Sequence, residues 1–296
     1  MAKRIGLVFF SILIASALRA DTIYVSDAGS ATIYQYTSQG SRTTFATGLS
    51  LPLGLAVDSN GNVFEADGGT GTINEFSALA IQSTFATGLN EPYGLAFGPS
   101  GLLYEADDTG GGVFDFTPAG VEKRFANELP FPTGIAVDAS GNVYISALGA
   151  PTTSGSGLIY KYASVGGRTV FASGLDLPGG MAFNTSGDLF EADFGSGSIY
   201  EFTPGGIRST FATGLTSPVD VAFDSLGNLY VTDSNSGNIY EFDKSGQRSL
   251  FATETRPTFL TIAQTPVSTA VPEPRYLAPL AICAGIFIVM RRRKHA

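Results

Sequence analysis

The stretch that decides the fold is TSPVDVAFDSLGNLYVTDSNSGNIYEFDKSGQRSLFATET, residues 216–255, because near-copies of it fill most of the chain. Each copy carries the dipeptide Phe-Ala, and a proline opens the next copy in the same phase. The dipeptides lie 40, 40, 46, 40 and 40 residues apart, at Phe45, Phe85, Phe125, Phe171, Phe211 and Phe251. The prolines are Pro52, Pro92, Pro132, Pro178, Pro218 and Pro257. Two markers at one spacing indicate a repeat protein.

Short apolar runs, rich in β-branched and aromatic residues and separated by Gly, Pro, Asn and Asp, predict several short strands in each unit. In the copy that starts at Asp176, we place strand a at residues 181–183, b at 188–192, c at 198–202 and d at 207–212. A period of about 40 to 45 residues with four strands is typical of propeller blades. Helical repeats are excluded because the runs contain too few helix formers.

The two ends of the repeat region predict how the ring closes. Residues 21–49 supply only strands b, c and d (TIYVSD, TIYQY, RTTFAT), whereas residues 257–263 (PTFLTIA) match only strand a. Five complete units and one shared unit make six blades. We therefore predict an all-β six-bladed propeller of four-stranded antiparallel blades over residues 21–264. Pairing of the C-terminal strand with the three N-terminal strands would close it and leave no unpaired blade edge.

Two phrases in these units resemble a known repeat family. They are PLGLAVDSNGNVFEAD at residues 52–67 and PTGIAVDASGNVYIS at residues 132–146, with a following IYEF strand at residues 199–202 and 239–242. They resemble NHL repeats, and the resemblance covers residues 21–263. It implies a six-bladed propeller, a fold that serves binding proteins and hydrolases alike and therefore does not fix the function.

Residues 1–20 have the pattern of a secretory signal peptide. Lys3 and Arg4 precede an apolar stretch at residues 5–15, and small residues follow, with cleavage expected after Ala17 or Ala20. An uncleaved signal anchor is the less favoured alternative, because the apolar stretch is shorter than the roughly 20 residues that span a bilayer. The sequence therefore predicts an exported protein.

The C-terminal end has three parts in a fixed order. A linker at residues 265–270 leads to the sorting signal at 271–296, in which a predicted transmembrane helix at 276–290 precedes a basic cluster. The helix would be about 22 Å long at ~1.5 Å per residue, which is short for a permanent anchor. The sorting motif is Val271, Pro272, Glu273 and Pro274, and the basic stop is Arg291, Arg292, Arg293 and Lys294.

This tail closely resembles the PEP-CTERM sorting signal, with VPEP as its motif. The resemblance implies cleavage by an exosortase, a membrane protease of Gram-negative bacteria that often make exopolysaccharide. The protein would be held in the membrane transiently by its C-terminal helix and then released to the cell surface or the extracellular space. A plain tail anchor is the alternative.

Charge and composition exclude several functions. Residues 21–270 hold 9 basic and 25 acidic residues, a formal charge of −16, which disfavours nucleic acid and anionic membranes as partners. Cys283 and His295 both lie in the tail, so the predicted propeller has neither residue type. Ser-His-Asp triads, Cys-His dyads, disulfides and His or Cys metal ligands are excluded from it.

Carboxylates recur at three positions of the unit, and we expect structural roles for all three. An Asp ends strand b, where it would accept hydrogen bonds from turn amides; one unit has Ala147 instead. A Glu occupies strand b in three units, where it must be paired or near the rim if blades pack around it. Cross-strand ion pairs are predicted for Glu201 with Arg208 and for Glu241 with Arg248. The strand-end residues are Asp27, Asp67, Asp107, Asp193 and Asp233, and the glutamates are Glu65, Glu105 and Glu191.

Departures from the repeat indicate the candidate binding site. Asp220 and Phe259 stand where other units have a strand a glycine, at Gly54, Gly94, Gly134 and Gly180. Glu91, in the linker into strand a, could join Asp220 at one mouth of the central channel. One unit has six extra residues within 148–157, in the b–c loop on the face that carries the d–a linkers. We predict binding on this face, with a tolerated loop insertion as the alternative.

Two functions remain. The first is a noncatalytic binding scaffold for an extracellular polysaccharide or protein, with no cofactor. The second follows from a resemblance of architecture to gluconolactonase-like propellers, which implies a divalent metal such as calcium in the channel and a hydrolytic activity. Asp220 and Glu91 could then be ligands, with Asn90 or Asn184 as further candidates. The regularity of the repeats favours the scaffold.

Overall fold

The computed structural model describes residues 21–150, 152–165 and 167–264. They form 24 β-strands in six four-stranded antiparallel sheets. Within these residues the only helix is the 3₁₀ turn Ser234–Ser236, and no helix could cross a bilayer. The predicted signal peptide, sorting motif, transmembrane helix and basic stop all lie outside the described residues.

Five blades follow one another along the chain, and a sixth, the closing blade, joins the two ends. Blade 1 is β4 (Pro52–Val57), β5 (Val63–Asp67), β6 (Thr72–Phe76) and β7 (Gln82–Thr87). Blade 2 is β8 (Pro92–Phe97), β9 (Leu103–Asp107), β10 (Gly112–Phe116) and β11 (Glu122–Ala126). Blade 3 is β12 (Pro132–Val137), β13 (Val143–Ala147), β14 (Gly157–Tyr162) and β15 (Arg168–Leu175).

Blade 4 is β16 (Pro178–Phe183), β17 (Leu189–Asp193), β18 (Ser198–Phe202) and β19 (Arg208–Ala212). Blade 5 is β20 (Pro218–Phe223), β21 (Leu229–Asp233), β22 (Asn238–Phe242) and β23 (Arg248–Thr253). The closing blade is β24 (Pro257–Ala263), β1 (Thr22–Asp27), β2 (Thr32–Thr37) and β3 (Arg42–Thr47). In each blade these strands are a, b, c and d, from the channel outwards.

The predicted closure is confirmed. β24 pairs antiparallel with β1, placing Ile262 opposite Ile23. Arg42 in β3 forms an ion pair of 2.9 Å with Glu254, in the linker that enters β24. The Tyr36 hydroxyl donates to the same carboxylate. The closing blade is therefore held by its sheet and by a buried carboxylate with two partners.

Strand a is longer than predicted. In blade 4 the predicted strand a covers residues 181–183, whereas the strand begins at Pro178. The pairing shifts between Pro178 and Met181, so a β-bulge interrupts the ladder and the strand continues beyond it. Alternation of apolar residues does not reveal such a bulge, because the extra residue breaks the period of two.

The phenylalanine that marks each repeat joins one blade to the next. It lies on strand d, and its ring packs against an aromatic ring of strand b in its own blade. It also packs against the aromatic residue that ends strand c of the following blade. Phe85, for example, lies 5.0 Å from Phe64 and 5.8 Å from Phe116, measured between ring centroids. The series continues through the closure, where Phe251 of blade 5 contacts Tyr36.

Phe45→Ala tests this contact at the junction of the closing blade and blade 1. The ring is buried and contacts Tyr24 and Phe76. We expect the free energy of unfolding to fall by about 3 kcal/mol in urea titrations, because a cavity opens between two blades. Val170→Ala, on an exposed strand d position, is the control and should cost less than about 0.5 kcal/mol. Equal losses in the two variants would contradict the proposed role of the ring.

Candidate functional site

The central channel is narrow because neighbouring a strands nearly touch. At Gly54, Gly94 and Gly134 a β-carbon would lie only 2.2, 2.2 and 2.3 Å from a backbone oxygen of the next blade. Any larger residue there would push two blades apart. The repeated glycine is therefore explained by the close approach of the a strands around the axis.

A hydrophobic septum crosses this channel. Leu53, Val219 and Phe259 form a buried cluster, with Tyr93 packed against it. The rings of Tyr93 and Phe259 meet edge to face at 5.3 Å, although one belongs to blade 2 and the other to the closing blade. Phe259 can fill the axis because it replaces the glycine of the other blades. The septum separates two cavities, here named the linker-side cavity and the turn-side cavity.

The linker-side cavity has a volume of about 400 Å³ and is lined by the first halves of the a strands, the d–a linkers and the b–c turns. Leu53, Val219 and Tyr93 of the septum line it, and Phe194 stands exposed at its edge. Its ionisable side chains are Glu91, Asp108, Tyr93 and Arg256. The cavity thus combines an apolar floor with acceptors and a cationic donor.

The acidic groups of this cavity influence one another. Burial, and then the charges of Glu91 and Asp107, raises the pKa of Asp108 to about 6. The Oδ1 atom of Asp108 is buried and has no hydrogen-bond partner among the described residues. Burial also raises the pKa of Tyr93 to about 12, with the charge of Asp108 as the next cause. Asp108 is therefore an acid that exchanges its proton close to neutral pH.

The backbone of the linkers is strained on the same face. Glu91, Phe131 and Leu177 have φ angles of 110°, 55° and 59°, and each precedes the proline that starts strand a. Non-glycine residues rarely adopt positive φ, and residues before proline favour extended conformations. Such strain often accompanies functional sites.

The insertion in blade 3 is fixed to this face. The Ser154 hydroxyl donates to Asp176 in the next linker over 2.7 Å, and Leu148 N donates to the Phe131 carbonyl over 3.1 Å. Leu148 itself lines the linker-side cavity. The six extra residues therefore extend the rim of the cavity.

The turn-side cavity has a volume of about 340 Å³ and is lined by the second halves of the a strands. Its walls are largely apolar, and Asp220 is the only ionisable side chain among the described residues that line it. Asp220 is 7% exposed and accepts a hydrogen bond from Leu260 N at Oδ2 over 3.0 Å. Burial raises the pKa of Asp220 to about 7.

The sequence grouped Asp220 with Glu91, but these residues line different cavities on either side of the septum. Asn90 uses its backbone, donating from N to Asp107 Oδ2, and Asn184 caps an a–b turn by accepting from Ser186 N and Asp188 N. The described residues contain no group of three or more Asp, Glu, His or Cys side chains arranged to hold a metal ion. A channel metal bound by the predicted ligands therefore does not fit this arrangement.

Four of the five aspartates at the end of strand b accept turn amides as predicted, whereas Asp233 accepts only from the linker before it. All five bind their linker. Asp67 accepts from Gly69 N and Thr70 N in its turn, and from Ser50 N and Leu51 N in the preceding linker. Blade 3 has Ala147 instead, and the linker residue equivalent to Ser50 is Pro130, which has no N–H to satisfy. The two substitutions compensate each other.

The strand b glutamates are buried between blades without an ionic partner. Glu65 accepts from the Asn74 amide, whereas both carboxylate oxygens of Glu105 and of Glu191 lack a hydrogen-bond partner among the described residues. Burial raises the pKa of Glu65 to about 8 and raises the pKa of Glu105 and Glu191 well above the usual range. Burial thus favours the neutral form of all three acids. The expected pairing or rim position is wrong for Glu105 and Glu191, whereas Glu65 has the Asn74 amide as its partner.

A regularity in strand b explains which blades carry the acid. The glutamate is always followed by alanine, whereas blades with Val or Ile at that position follow it with Ser or Thr, at Ser26, Ser146 and Thr232. Those hydroxyls join neighbouring a strands. Ser146 Oγ accepts from Gly134 N over 2.7 Å and donates to the Gly179 carbonyl of blade 4 over 2.6 Å. Each blade thus places one polar side chain on strand b near the bulge of strand a.

The predicted cross-strand ion pairs are wrong. Glu201 lies opposite Ser209, and Glu241 lies opposite Ser249, one residue beyond each arginine. Arg208 and Arg248 instead stack over Tyr200 and Tyr240, at 4.9 and 5.1 Å from the ring centroids. The c–d hairpin loops span residues 203–207 and 243–247, so Phe202 and Phe242 lie opposite the arginines and each glutamate lies opposite the following serine.

Comparison with known proteins supports the fold. Residues 215–241 match the family model of the NHL repeat. No curated protein matches the chain. A chain of the nidogen/laminin complex superimposes with a TM-score of 0.73 at 20% identity, covering 82% of this chain and 98% of that one.

Two enzymes share the fold, with somewhat lower TM-scores. A gluconolactonase of Xanthomonas campestris has a TM-score of 0.64 at 20% identity, over 73% of this chain and 83% of its own. A virginiamycin B lyase of Staphylococcus aureus has a TM-score of 0.61 at 14% identity, over 82% of this chain and 88% of its own. At these identities the likeness concerns the fold alone, and it includes binding proteins and enzymes.

The buried glutamates predict a pH dependence of stability. A folded-state pKa above the unfolded value means that the unfolded chain loses protons first as the pH rises above about 4.5. Stability should therefore fall between about pH 5 and pH 8, by up to about 1.4 kcal/mol per pH unit for each group. Urea titrations of the triple variant Glu65→Gln, Glu105→Gln, Glu191→Gln should show a shallower decline.

Glu128→Gln, at an exposed position in the linker after β11, is the control and should follow the unsubstituted protein. Parallel pH profiles for the triple variant and the unsubstituted protein would contradict the assignment of neutral buried acids.

Proposed function

We propose that this protein is an exported, exosortase-processed propeller that acts as a noncatalytic binding scaffold for a polysaccharide or protein at the cell surface or in the extracellular matrix. The linker-side cavity is its binding site. The host would be a Gram-negative bacterium, and the C-terminal helix would hold the protein in the membrane only until processing.

The observation that carries this proposal is the closed end of the linker-side cavity. Leu53, Val219 and Phe259, with Tyr93 packed against them, lie between this cavity and the turn-side cavity, and the two cavities share no lining residue. A ligand would therefore enter and leave by the mouth at the linkers. Apolar walls with a few polar groups are typical of ligand sites. The strained linkers and the anchored insertion of blade 3 stand around this mouth, and the opposite face has no comparable departure from the repeat in its turns.

The chemistry of the cavity favours binding over turnover. The described residues contain neither histidine nor cysteine, so neither can serve as a base or nucleophile in this propeller. Tyr93 and the exposed Phe194 offer rings against which a sugar or an apolar side chain can pack. Arg256, Glu91 and Asp108 offer a donor and two acceptors to polar groups of a ligand.

Binding measurements with a matched pair of surface variants test the site. The probes are the exopolysaccharide of the producing bacterium and a glycan array, read by surface plasmon resonance and fluorescence. Phe194→Ala should weaken binding by about tenfold or more, because an exposed ring at a binding site contributes about 1 to 2 kcal/mol. Leu226→Ala, an exposed apolar residue in a turn of the opposite face, should leave it unchanged. Equal effects of both variants would reject the linker-side cavity as the site.

A hydrolase resembling the gluconolactonases is the second candidate. The observation in its favour is Asp108, whose pKa of about 6 lies near that of an effective acid or base and whose neighbour Glu91 is a second carboxylate. We expect no stoichiometric metal by mass spectrometry after dialysis against calcium, and no lactone or ester hydrolysis. One tightly held divalent ion, with turnover lost in Asp108→Asn, would place the hydrolase first.

Processing at the C-terminus is a separate part of the proposal. In a host that has an exosortase, replacing Pro272 and Glu273 by alanine should retain the protein in the membrane fraction at its full mass. The unsubstituted protein should be released with a smaller mass, detectable by mass spectrometry of the culture medium. Release of both proteins at the same mass would contradict exosortase processing through this motif.

A further inference from the structure

The turn-side cavity, which the proposed function does not use, breaks the symmetry of the propeller. Each blade contributes the second half of its strand a, and the central position of that half is alanine in blades 1 to 5, from Ala56 to Ala222. Thr261 holds it in the closing blade. A sixfold arrangement of such residues makes an apolar tube with no preference for any polar ligand.

Asp220 places one carboxylate in this tube, next to the septum residue Val219. The side chain is more than nine-tenths buried, yet no basic side chain lines the cavity among the described residues. A buried carboxylate without a cation is costly, so an occupant of opposite charge would remove a penalty already present in the fold.

The two oxygens of Asp220 are not equivalent. Oδ2 accepts the Leu260 amide of the closing blade over 3.0 Å, which fixes the carboxylate in position. Oδ1 leans towards blade 4, where it lies 1.7 Å from the place that a β-carbon on Gly180 would occupy. The Val221 amide lies near the carboxylate and lowers its pKa, but the one hydrogen bond that the described residues donate to the carboxylate ends on Oδ2. One acceptor atom therefore remains for a ligand.

Because only Oδ1 of Asp220 remains to accept a hydrogen bond, the site favours one kind of cationic group over another. A guanidinium binds a carboxylate best through two parallel hydrogen bonds, and Oδ2 is already engaged. A primary ammonium acts as a compact charge and needs only one strong acceptor. The apolar walls suit a hydrocarbon body, and the septum closes the tube behind Asp220.

We propose that the turn-side cavity binds a small aliphatic amine, with its ammonium group on Asp220 Oδ1 and its hydrocarbon chain along the apolar walls. The free amine enters from the a–b turn face, independently of any ligand in the linker-side cavity. Among the described residues that line the cavity, Thr261 is the one other with a polar side chain.

Calorimetric titration of the purified chain with n-hexylamine tests this site, with hexan-1-ol and hexanoic acid as probes of equal chain length. The amine should bind about tenfold or more tightly than the alcohol, and the acid should not bind. Asp220→Asn, which keeps the shape and can still accept from Leu260 N, should bring the amine to the affinity of the alcohol. Glu122→Gln, on the exposed strand d of blade 2, should change nothing.

The pH dependence of the amine affinity is a second test, and a folding defect in a variant would not produce the same dependence. Amine affinity should rise from about pH 5.5 to about pH 8, because Asp220 loses its proton in this range while the amine stays charged. Titrations in two buffers of different ionisation heat should report a proton released on binding below about pH 7. Asp220→Asn should abolish both effects.

Equal affinity for the amine and the alcohol, or an amine affinity unchanged in a folded Asp220→Asn variant, would overturn the proposal. Tighter binding of Nα-acetyl-lysine amide than of hexylamine would assign the cavity to a partner's lysine side chain and overturn the free-amine assignment. Phe194→Ala should leave hexylamine binding intact, which separates this site from the linker-side cavity.

Discussion

The fold depends on the contact that each strand d phenylalanine makes with the next blade. A single four-stranded sheet cannot bury its own apolar face, and each blade of this protein covers its neighbour. Phe211 packs against Phe190 of its own blade and Phe242 of the following one, at centroid distances of 5.1 and 5.5 Å. Because one ring serves two blades, its position along the chain is fixed in every unit. This is why Phe-Ala marks the repeat most clearly.

Closure extends the same contact across the two ends of the chain. Phe251 meets Tyr230 in blade 5 and Tyr36 in the closing blade, as the other phenylalanines meet their partners. Asp27 adds a link, accepting from Thr255 N and Arg256 N over 2.8 and 3.1 Å. Glu254 carries the ion pair with Arg42. The linker before β24 therefore makes additional polar contacts with the closing blade, whose strands β24 and β1 come from opposite ends of the repeat region.

The architecture could be predicted from the sequence because the same pattern of strands and turns recurs in every unit. Strand c of blade 4 was predicted at 198–202 and is Ser198–Phe202. Features that depend on backbone register were not predicted. The bulge of strand a shifts its partners, and the length of the c–d hairpin loop places Glu201 opposite Ser209, so the expected ion pair with Arg208 does not form. Local alternation carries no signal for a bulge until both strands are seen together.

Two pairs of positions vary together between the units of the sequence. Ala147 replaces the strand-end aspartate in the one blade whose linker residue is Pro130, and every strand b glutamate is followed by alanine instead of serine or threonine. The first removes a linker N–H together with its acceptor, and the second exchanges a hydroxyl that joins two a strands for a buried acid. Comparison of the units with one another reveals both patterns.

The two cavities could not be predicted from the sequence, because they depend on contacts across the ring that no local pattern encodes. Asp220 and Glu91 were grouped because both depart from the repeat near the axis, yet the Tyr93–Phe259 contact places a barrier between their cavities. Tyr93 and Phe259 are 166 residues apart in sequence and belong to blades that are not neighbours. Only closure of the ring brings them together.

The central channel of this propeller departs from the sixfold repeat at two positions of strand a. Six identical a strands would give a tube with glycine at its narrowest level and no chemical distinction between its ends. Phe259 fills the channel at its narrowest point, and Asp220 places a carboxylate on one side of it. Each of them replaces a strand a glycine, and in the other blades a larger residue at this position would clash with the next blade. The replacements are compatible because they stand on adjacent blades, where Leu260 N holds the Asp220 carboxylate. Two substitutions in neighbouring units therefore convert one symmetric channel into two chemically different cavities, while the outer contacts that hold the ring remain those of the repeat.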